Sequence, residues 1–472
     1  MNQPATSGSG SSESLPGGSS YIVVPQVLLT ESGPQYGWAA AVVDGTFGAV
    51  GPVEEVVTQH PALARHELAG SALIPGFIDS HQHLTQAFAK SIIGGQPAQI
   101  WKRIWLPMYD AMTPDDAYIA AKWTCIEALR GGFTTVVTAG EIDPARIEAV
   151  HQAVLDVGIR CVLGHEFSDQ ADFDGPSQKE RMSKDECIAL ARVKGVASTG
   201  SSRITTSLTC GSGQSASKEL IGELASVAGE LGLLFQIHAS EHTPEVERAL
   251  DRYGRRPIEL LYDIGALGTH TLVAHATLAT SDEIGMLADT GTRVSYNPVA
   301  SAWKGNGVAQ ALEFASRGVE FGLGTDATRM DGFRLIDAAE TAQRLTTGLR
   351  IDDWVVGHGQ LWVNAATVKG SIAGGLGSAT GAIESGRHAD YLILDTTGPE
   401  CRPSWDFTWD LVRSYDRSHL QAVYIDGDQI LVDGRPIGWD LDVFLDESEP
   451  AAKDVIRRAN LALVNPAWTD RP

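Results

Sequence analysis

The sequence predicts an α/β protein in which a (β/α)8 barrel is joined to a small β domain built from both chain ends. Two observations predict this fold. Between about residues 76 and 385, short apolar segments alternate with longer helical patterns eight times, and β-prone segments precede and follow that stretch. The chain has 472 residues, 43% of them hydrophobic, which is enough for one barrel and a modest second domain.

The apolar segments are the expected barrel strands. Helical patterns such as Asp115–Arg130 and Ser217–Leu231 lie between them, and this alternation is typical of a parallel sheet covered by helices. In chain order the expected strands are Gly76–Ser80, Thr134–Thr138, Arg160–Leu163, Arg203–Leu208, Leu233–Ile237, Thr271–Ala274, Thr292–Ser295 and Val319–Leu323.

The two chain ends predict the separate β domain. Tyr21–Thr30 and Trp38–Val50 are β-prone, and Ala389–Leu394 and Ala422–Asp433 repeat this character late in the chain. The expected division is a disordered Gly- and Ser-rich tail (1–20), a first β part (21–75), the barrel (76–385), a second β part (386–440) and a C-terminal helix and tail (441–472).

Charge and cysteine content exclude several classes of partner. Thirty-six basic residues stand against 59 acidic ones, and a formal charge of −23 disfavours nucleic acid and anionic lipid. Five cysteines without a C-x-x-C spacing indicate a reducing compartment, so we expect a cytoplasmic protein. No apolar run is long enough to cross a membrane, and the N-terminus has no secretory signal pattern.

Polar residues follow the apolar part of four expected strands, where they would meet at the carboxyl-terminal mouth of the barrel. Barrel enzymes carry their chemistry at this end. The residues in these positions are His81, His83, His238, Glu241, His275 and Asp326.

Four of these side chains predict a site for one divalent metal ion. His81 and His83 are two residues apart, so on an extended strand both imidazoles point to one side. His238 would be the third nitrogen ligand and Asp326 the carboxylate ligand. Singly, a histidine after a strand is more often structural, and an aspartate there is commonly a helix cap. Together, three imidazoles and one carboxylate leave room for a water molecule, as catalytic sites require.

Two further residues have candidate catalytic roles. Glu241 would carry a proton from water to the leaving group, although an acidic residue at the start of a helix is also favoured by the helix dipole. His275 would donate a hydrogen bond to the attacking oxygen or the developing oxyanion, or else support a metal ligand from behind.

The motifs around these residues resemble the amidohydrolase superfamily, in its cytosine deaminase, guanine deaminase and s-triazine hydrolase branch. Residues 73–83 (LIPGFIDSHQH) resemble the family's PGFID-HxH segment, and residues 237–241 (IHASE) its IHxxE segment. Residues 273–275 (VAH), 322–326 (GLGTD) and 386–390 (GRHAD) are similar to later family segments. Residues 458–460 (RAN) and 465–468 (NPAW) resemble the tail of the triazine hydrolases.

This resemblance implies a distorted (β/α)8 TIM barrel with a small β-sandwich beside it. It implies His81, His83, His238 and Asp326 as ligands to zinc, with iron as the alternative. Glu241 and His275 would be catalytic, and Asp326 would also help to activate water. Some members bind a second metal through a lysine on strand four. Because residues 203–210 (RITTSLTC) contain no lysine, one metal is expected.

Three segments at the barrel mouth depart from the family pattern, so no family substrate is carried over. Residues 209–213 (TCGSG) lack the deaminases' histidine, residues 296–301 (YNPVAS) differ from HNPxSN, and residues 327–331 (ATRMD) differ from the usual sequence after the aspartate. The side chains considered for substrate binding are Gln86, Trp101, Trp105, His165, Tyr296, Trp303 and Arg329; Trp101 and Trp105, at i and i+4, are as typical of core packing.

The expected function is metal-dependent hydrolysis of a C–N bond, by deamination or amide hydrolysis, in a small heterocyclic substrate. Two alternatives remain: a chlorohydrolase of an s-triazine-like ring, and a barrel protein without catalytic activity. The expected partners are a small-molecule substrate and further copies of the chain, in a homodimer or a higher homo-oligomer, since dimers are common in the family.

Overall fold

The computed structural model describes residues 18, 20–94, 96, 100–170, 182–197, 199–352, 357–461 and 463. Most of the expected N-terminal tail and the expected triazine-hydrolase-like segment 465–468 lie outside the described residues. The chain enters through five strands and a short helix, α1 (Val53–Gln59). These strands are β1 (Ser20–Thr30), β2 (Gly33–Gln35), β3 (Trp38–Val43), β4 (Thr46–Pro52) and β5 (Arg65–Pro75).

The next eight strands form the barrel. Neighbours along the chain pair in parallel, in the order β6 to β13 without a crossover. Their bounds are β6 (Phe77–Gln82), β7 (Phe133–Thr138), β8 (Arg160–Phe167), β9 (Ile204–Cys210), β10 (Leu234–Ala239), β11 (Thr271–His275), β12 (Arg293–Tyr296) and β13 (Phe321–Leu323).

The first and last barrel strands approach each other closely. Gln82 forms an isolated parallel bridge with Asp326. Below it, the Asp79 carboxylate accepts hydrogen bonds from the Thr325 amide (2.9 Å) and the Thr325 hydroxyl. These contacts bring β6 and β13 together, so the sheet is a nearly closed, distorted barrel, as expected.

Several of the helices begin directly after a residue whose side chain caps the first turn. In the helix spanning Lys218–Leu231, Ser217 accepts a hydrogen bond from the Leu220 amide, and Gly232 ends the helix in the left-handed region (φ 67°). The helices that follow α1 are α2 (Lys90–Ile93), α3 (Leu106–Ala111), α4 (Pro114–Arg130), α5 (Pro144–Val157), α6 (Lys184–Val196), α7 (Lys218–Leu231), α8 (Thr243–Tyr253), α9 (Pro257–Asp263), α10 (Ser281–Thr290), α11 (Pro298–Lys304), α12 (Ala311–Ser316), α13 (Gly332–Gln343), α14 (Leu349–Ile351), α15 (Gly359–Ala366), α16 (Val368–Ala373), α17 (Phe407–Arg413) and α18 (Leu441–Ala459).

After the barrel, the chain returns to the outer sheet through β14 (Tyr391–Asp395), β15 (Leu420–Ile425), β16 (Asp428–Val432) and β17 (Arg435–Pro436). β14 pairs antiparallel with β5, which joins the two chain ends in one nine-stranded mixed sheet. The expected fold class, a barrel with a separate β unit made from both ends of the chain, is therefore confirmed.

Two apolar clusters pack against the barrel strands. One large apolar cluster lies between the barrel strands and the surrounding helices. A second cluster joins barrel residues such as Val137, Val162 and Leu272 to Ala373 of α16.

Among the helices described, none combines the length and apolar character that a bilayer crossing requires.

Candidate active site

Three strand ends place the four predicted metal ligands at one mouth of the barrel. His81 lies in β6 and His83 follows that strand, while His238 is in β10 and Asp326 follows β13. The expectation that all of these residues come after their strands is wrong for His81, His238 and His275, which are themselves strand residues. Strand pairing continues past the apolar segment, and the side chains of these strand residues still reach the mouth.

The distances between these side chains suit one metal ion. His83 Nε2 lies 3.3 Å from His238 Nε2 and 3.5 Å from Asp326 Oδ1. The ring centroids of His81 and His238 are 4.7 Å apart. Two atoms bound to one zinc ion at about 2.0–2.1 Å in tetrahedral geometry are about 3.3 Å apart. The set of three imidazoles and one carboxylate therefore fits a single divalent ion.

The orientation and charge of the histidines also fit a metal. His238 Nδ1 donates a hydrogen bond to the Gly211 carbonyl over 2.6 Å. This leaves the lone pair of Nε2 directed into the cluster. His81 Nε2 is buried and has no hydrogen-bond partner among the described residues. Burial lowers the pKa of His83 to about 3 and that of His81 well below its usual value, so both rings are neutral. Neutral imidazole is the form that binds metals.

His275 has the opposite proton arrangement. Asn297 Nδ2 donates to His275 Nδ1 over 3.1 Å, and the Ser295 hydroxyl holds the amide oxygen of Asn297. With Nδ1 accepting, the proton is on Nε2, which lies 3.7 Å from Glu241 Oε2 and 3.9 Å from Asp326 Oδ2. Burial lowers the pKa of His275 to about 4. The ring is thus a neutral donor aimed between the two carboxylates.

The backbone is strained around these residues. His275 has a φ of 76°, Asp326 of 54° and Ser240, next to Glu241, of 55°. Non-glycine residues occupy this region at a cost of about 1–3 kcal/mol each, and such strain is found where a site needs a fixed side-chain direction. The Asp326 amide donates to the His81 carbonyl over 2.9 Å, which fixes the carboxylate beside the histidines.

Glu241 is held by residues from the end of α11, from the turn after it and from α8. Its Oε1 accepts hydrogen bonds from Lys304 Nζ (2.9 Å) and Asn306 Nδ2 (3.2 Å). The Glu245 carboxylate accepts from the amides of Ser240 (3.1 Å) and Glu241 (2.7 Å), which stabilises the turn that presents Glu241. Lys304 Nζ also lies 2.5 Å from Asp326 Oδ2. Lysine, two carboxylates and His275 form one buried polar cluster.

The residues considered for substrate binding fall into two groups. Gln86 is buried, its Nε2 donates to the Tyr109 hydroxyl (2.6 Å), and its Oε1 has no partner among the described residues. The Trp101 ring lies 5.8 Å from the Tyr109 ring. His165 is buried with Nδ1 unpartnered among the described residues, and burial lowers its pKa to about 4. Trp303 and Arg329 are exposed near the mouth loops.

Trp105 and Tyr296 are engaged elsewhere. Trp105 packs in an apolar cluster with Met108 of α3 and Val455 of α18. The buried Tyr296 hydroxyl accepts a hydrogen bond from Gln343 Nε2 (3.2 Å) and lies against α13. The structure does not bring these two side chains into the polar cluster.

Within residues 209–213, which depart from the family pattern, Gly211 lies close to two side chains. A Cβ atom at Gly211 would lie 2.7 Å from Ser215 Oγ and 2.9 Å from Glu166 Oε1. Both atoms are the ends of side chains, so a residue larger than glycine at this position requires these two side chains to shift.

A barrel with three histidines and an aspartate at its carboxyl-terminal mouth defines the class of barrel hydrolases that have a metal site. The chain belongs to the amidohydrolase family, whose sequence profile matches residues 72–430. The resemblance found in the motifs is therefore confirmed.

Two relatives are similar along most of the chain. A 5-methylthioadenosine/S-adenosylhomocysteine deaminase of Nitratidesulfovibrio vulgaris is 28% identical over 401 residues, covering 84% of this chain and 88% of the relative. A 5'-deoxyadenosine deaminase of Methanothermobacter thermautotrophicus is 30% identical over 374 residues, covering 77% and 83%.

Solved structures share the fold. An adenosine deaminase from Xanthomonas campestris with bound zinc has a TM-score of 0.83 at 22% identity, covering 93% of this chain and 98% of that one. An atrazine chlorohydrolase from Arthrobacter aurescens, complexed with zinc, has a TM-score of 0.81 at 20% identity, covering 92% and 100%. At these identities the likeness establishes the fold alone.

Proposed function

We propose that this protein is a zinc-dependent aminohydrolase that replaces an amino group on the heterocyclic base of an adenosine-like small molecule with oxygen, releasing ammonia. One observation carries the proposal: Glu241, His275 and Asp326 converge beside three metal-competent imidazoles. The similarity to deaminases of 5'-deoxyadenosine and of 5-methylthioadenosine/S-adenosylhomocysteine supports the substrate class.

Zinc is the proposed metal, held by His81, His83, His238 and Asp326. Three imidazole nitrogens and one carboxylate are ligands that zinc accepts, and β9 contributes no lysine that would hold a second ion. When bound, zinc supplies Lewis acidity that lowers the pKa of a coordinated water to about 7. Iron is the alternative outcome of a metal analysis.

The protein residues handle the protons. Asp326 Oδ2 accepts a proton as water attacks the carbon that bears the amino group. His275 Nε2–H donates a hydrogen bond to the attacking oxygen and stabilises the tetrahedral intermediate. Glu241 takes a proton from the attacking water and delivers it to the ring nitrogen, and Asp326 passes the proton that it accepted to the amino group. The C–N bond then breaks, and ammonia leaves while a carbonyl forms. One water is consumed for each ammonia released.

The test is ammonia release by zinc-loaded protein from adenosine, 5'-deoxyadenosine, 5-methylthioadenosine and S-adenosylhomocysteine. We expect turnover of at least one of them, and its loss in Glu241→Gln and His275→Asn at unchanged zinc content. Stoichiometric zinc without ammonia from any of the four would refute the substrate class. Chloride release from a chlorinated s-triazine would then favour the alternative function, a chlorohydrolase. Absence of stoichiometric metal would favour a barrel protein without catalytic activity.

A further inference from the structure

Two donors from one turn hold the same oxygen of Glu241. Lys304 is the last residue of α11, and Asn306 follows it by two positions. Lys304 Nζ (2.9 Å) and Asn306 Nδ2 (3.2 Å) both bond to Glu241 Oε1. The second oxygen, Oε2, is the one that faces His275 Nε2 at 3.7 Å. The two oxygens of this carboxylate therefore have different surroundings.

The turn that carries these donors has a defined geometry. Gly305 ends α11 in the left-handed region (φ 72°), and both its amide and the Asn306 amide donate to the Ser301 carbonyl. A glycine adopts this conformation without the steric cost that a side chain adds. The turn brings the lysine and the asparagine to one side, where Glu241 lies.

The Lys304 side chain is largely buried between two carboxylates. Only 16% of its side chain is exposed, against 17% for Glu241 and 3% for Asp326. A buried ammonium is tolerated only when it is paired, and Lys304 lies between both carboxylates. It offsets the repulsion of two neighbouring negative charges, so both can stay in the cluster.

We propose that Lys304 and Asn306 are positioning residues, which fix Glu241 through Oε1 so that Oε2 is the oxygen that transfers the proton. This inference rests on the proposed role of Glu241 in the aminohydrolase. Without the two donors, the carboxylate rotates away from His275 and from the reacting atoms. Displacement of a catalytic group by about 1 Å can cost about 100-fold in rate.

The kinetic test compares Lys304→Met, Lys304→Arg and Asn306→Ala with wild type, on the best substrate of the nucleoside panel. We expect kcat of Lys304→Met to fall about 10- to 100-fold with KM changed by less than about threefold. Asn306→Ala should lose less, and Lys304→Arg should keep most of the activity. The matched control is Lys369→Met, which breaks a lysine–glutamate pair with Glu320 away from the site (2.8 Å) and should leave kcat unchanged.

The structural test does not depend on the substrate. Crystal structures of zinc-loaded wild type and Lys304→Met should show Glu241 Oε1 bonded to Lys304 in the first and the carboxylate rotated in the second, with zinc at full occupancy in both. An unmoved carboxylate, a normal kcat or loss of zinc in Lys304→Met would each overturn the inference. If wild type turns over none of the nucleosides, the proposed function fails, and the position of Glu241 in the two crystal structures still decides the inference.

Discussion

Replacement of Arg160 by methionine tests how strongly the barrel is attached to the outer sheet. Arg160 begins β8, and its guanidinium bonds both carboxylate oxygens of Asp390, which directly precedes β14 (Nε–Oδ2 2.7 Å and Nη2–Oδ1 3.1 Å). The same Nη2 lies 2.6 Å from Asp426 Oδ1. Only 4% of the Arg160 side chain and none of the Asp390 side chain is exposed.

The structure sets the size of the expected effect. Without Arg160, the Asp390 carboxylate stays buried with the Thr380 hydroxyl (2.8 Å) and the Asp426 amide (2.9 Å) as remaining donors. Removing one partner of a buried pair costs about 3–5 kcal/mol, because the other charge is left uncompensated. A chain of this length loses on the order of 1 kcal/mol of stability per degree near Tm, so the melting temperature should fall by about 3–5 °C.

The assay is calorimetry of wild type and variants at one scan rate. Arg435→Met is the matched control: its partner is Asp442, both side chains are more than 60% exposed, and the change should be less than about 1 °C. Arg160→Met/Asp390→Leu should recover part of the loss, because the pair is then replaced by apolar groups. A melting temperature within about 1 °C of wild type for Arg160→Met, or no recovery in the double variant, would refute the reasoning.

Three further changes have expected outcomes. Chelation of the metal should lower the melting temperature, and zinc at about 1,000 times its Kd should restore about 4 kcal/mol, measured by calorimetry with magnesium as control. Glu241→Gln should lower kcat by about 100- to 10,000-fold at unchanged zinc stoichiometry; an active variant would remove Glu241 from proton transfer. Burial alone would raise the pKa of Asp426, but its bonds to His388 and Arg160 hold that pKa well below its usual range. The stability from Asp426 is therefore complete above the unfolded value near 3.8 and is lost as pH falls below it, so Asp426→Asn should lose less melting temperature on acidification than wild type. An equal loss would contradict this.

The strands and the grouping of the candidate metal ligands were predictable because they depend on local patterns. An apolar segment of four or five residues followed by a histidine is readable without tertiary information, and parallel pairing then brings the strand ends together. The ends of six of the eight barrel strands were placed too early. In β8, for example, pairing with β9 continues through Phe167, four residues beyond the expected end at Leu163.

The residues that the sequence did not identify act across long separations. The sequence predicted no positioning role for Lys304 or Asn306, since each lies more than 60 positions from Glu241. Asp79 looked like part of a strand motif, and only barrel closure brings it to Thr325, 246 positions away. Trp105 was wrongly included among the pocket candidates. Its burial could not be foreseen, because it depends on α18, which comes from the far end of the chain.

The candidate metal ligands and the residues that depart from the family pattern lie in different parts of the barrel mouth. The candidate ligands lie on or beside strands whose backbones are fixed by pairing and by Asp79, so their geometry tolerates little change. The segments that follow β9 and β12 carry Gly211, Lys304 and Asn306. The departures from the family pattern lie at the ends of β9 and β12 and in the segments that follow β9, β12 and β13. Such connecting segments vary more readily than paired strands. The metal chemistry is therefore expected to match that of the relatives, while the choice of substrate depends on the loops.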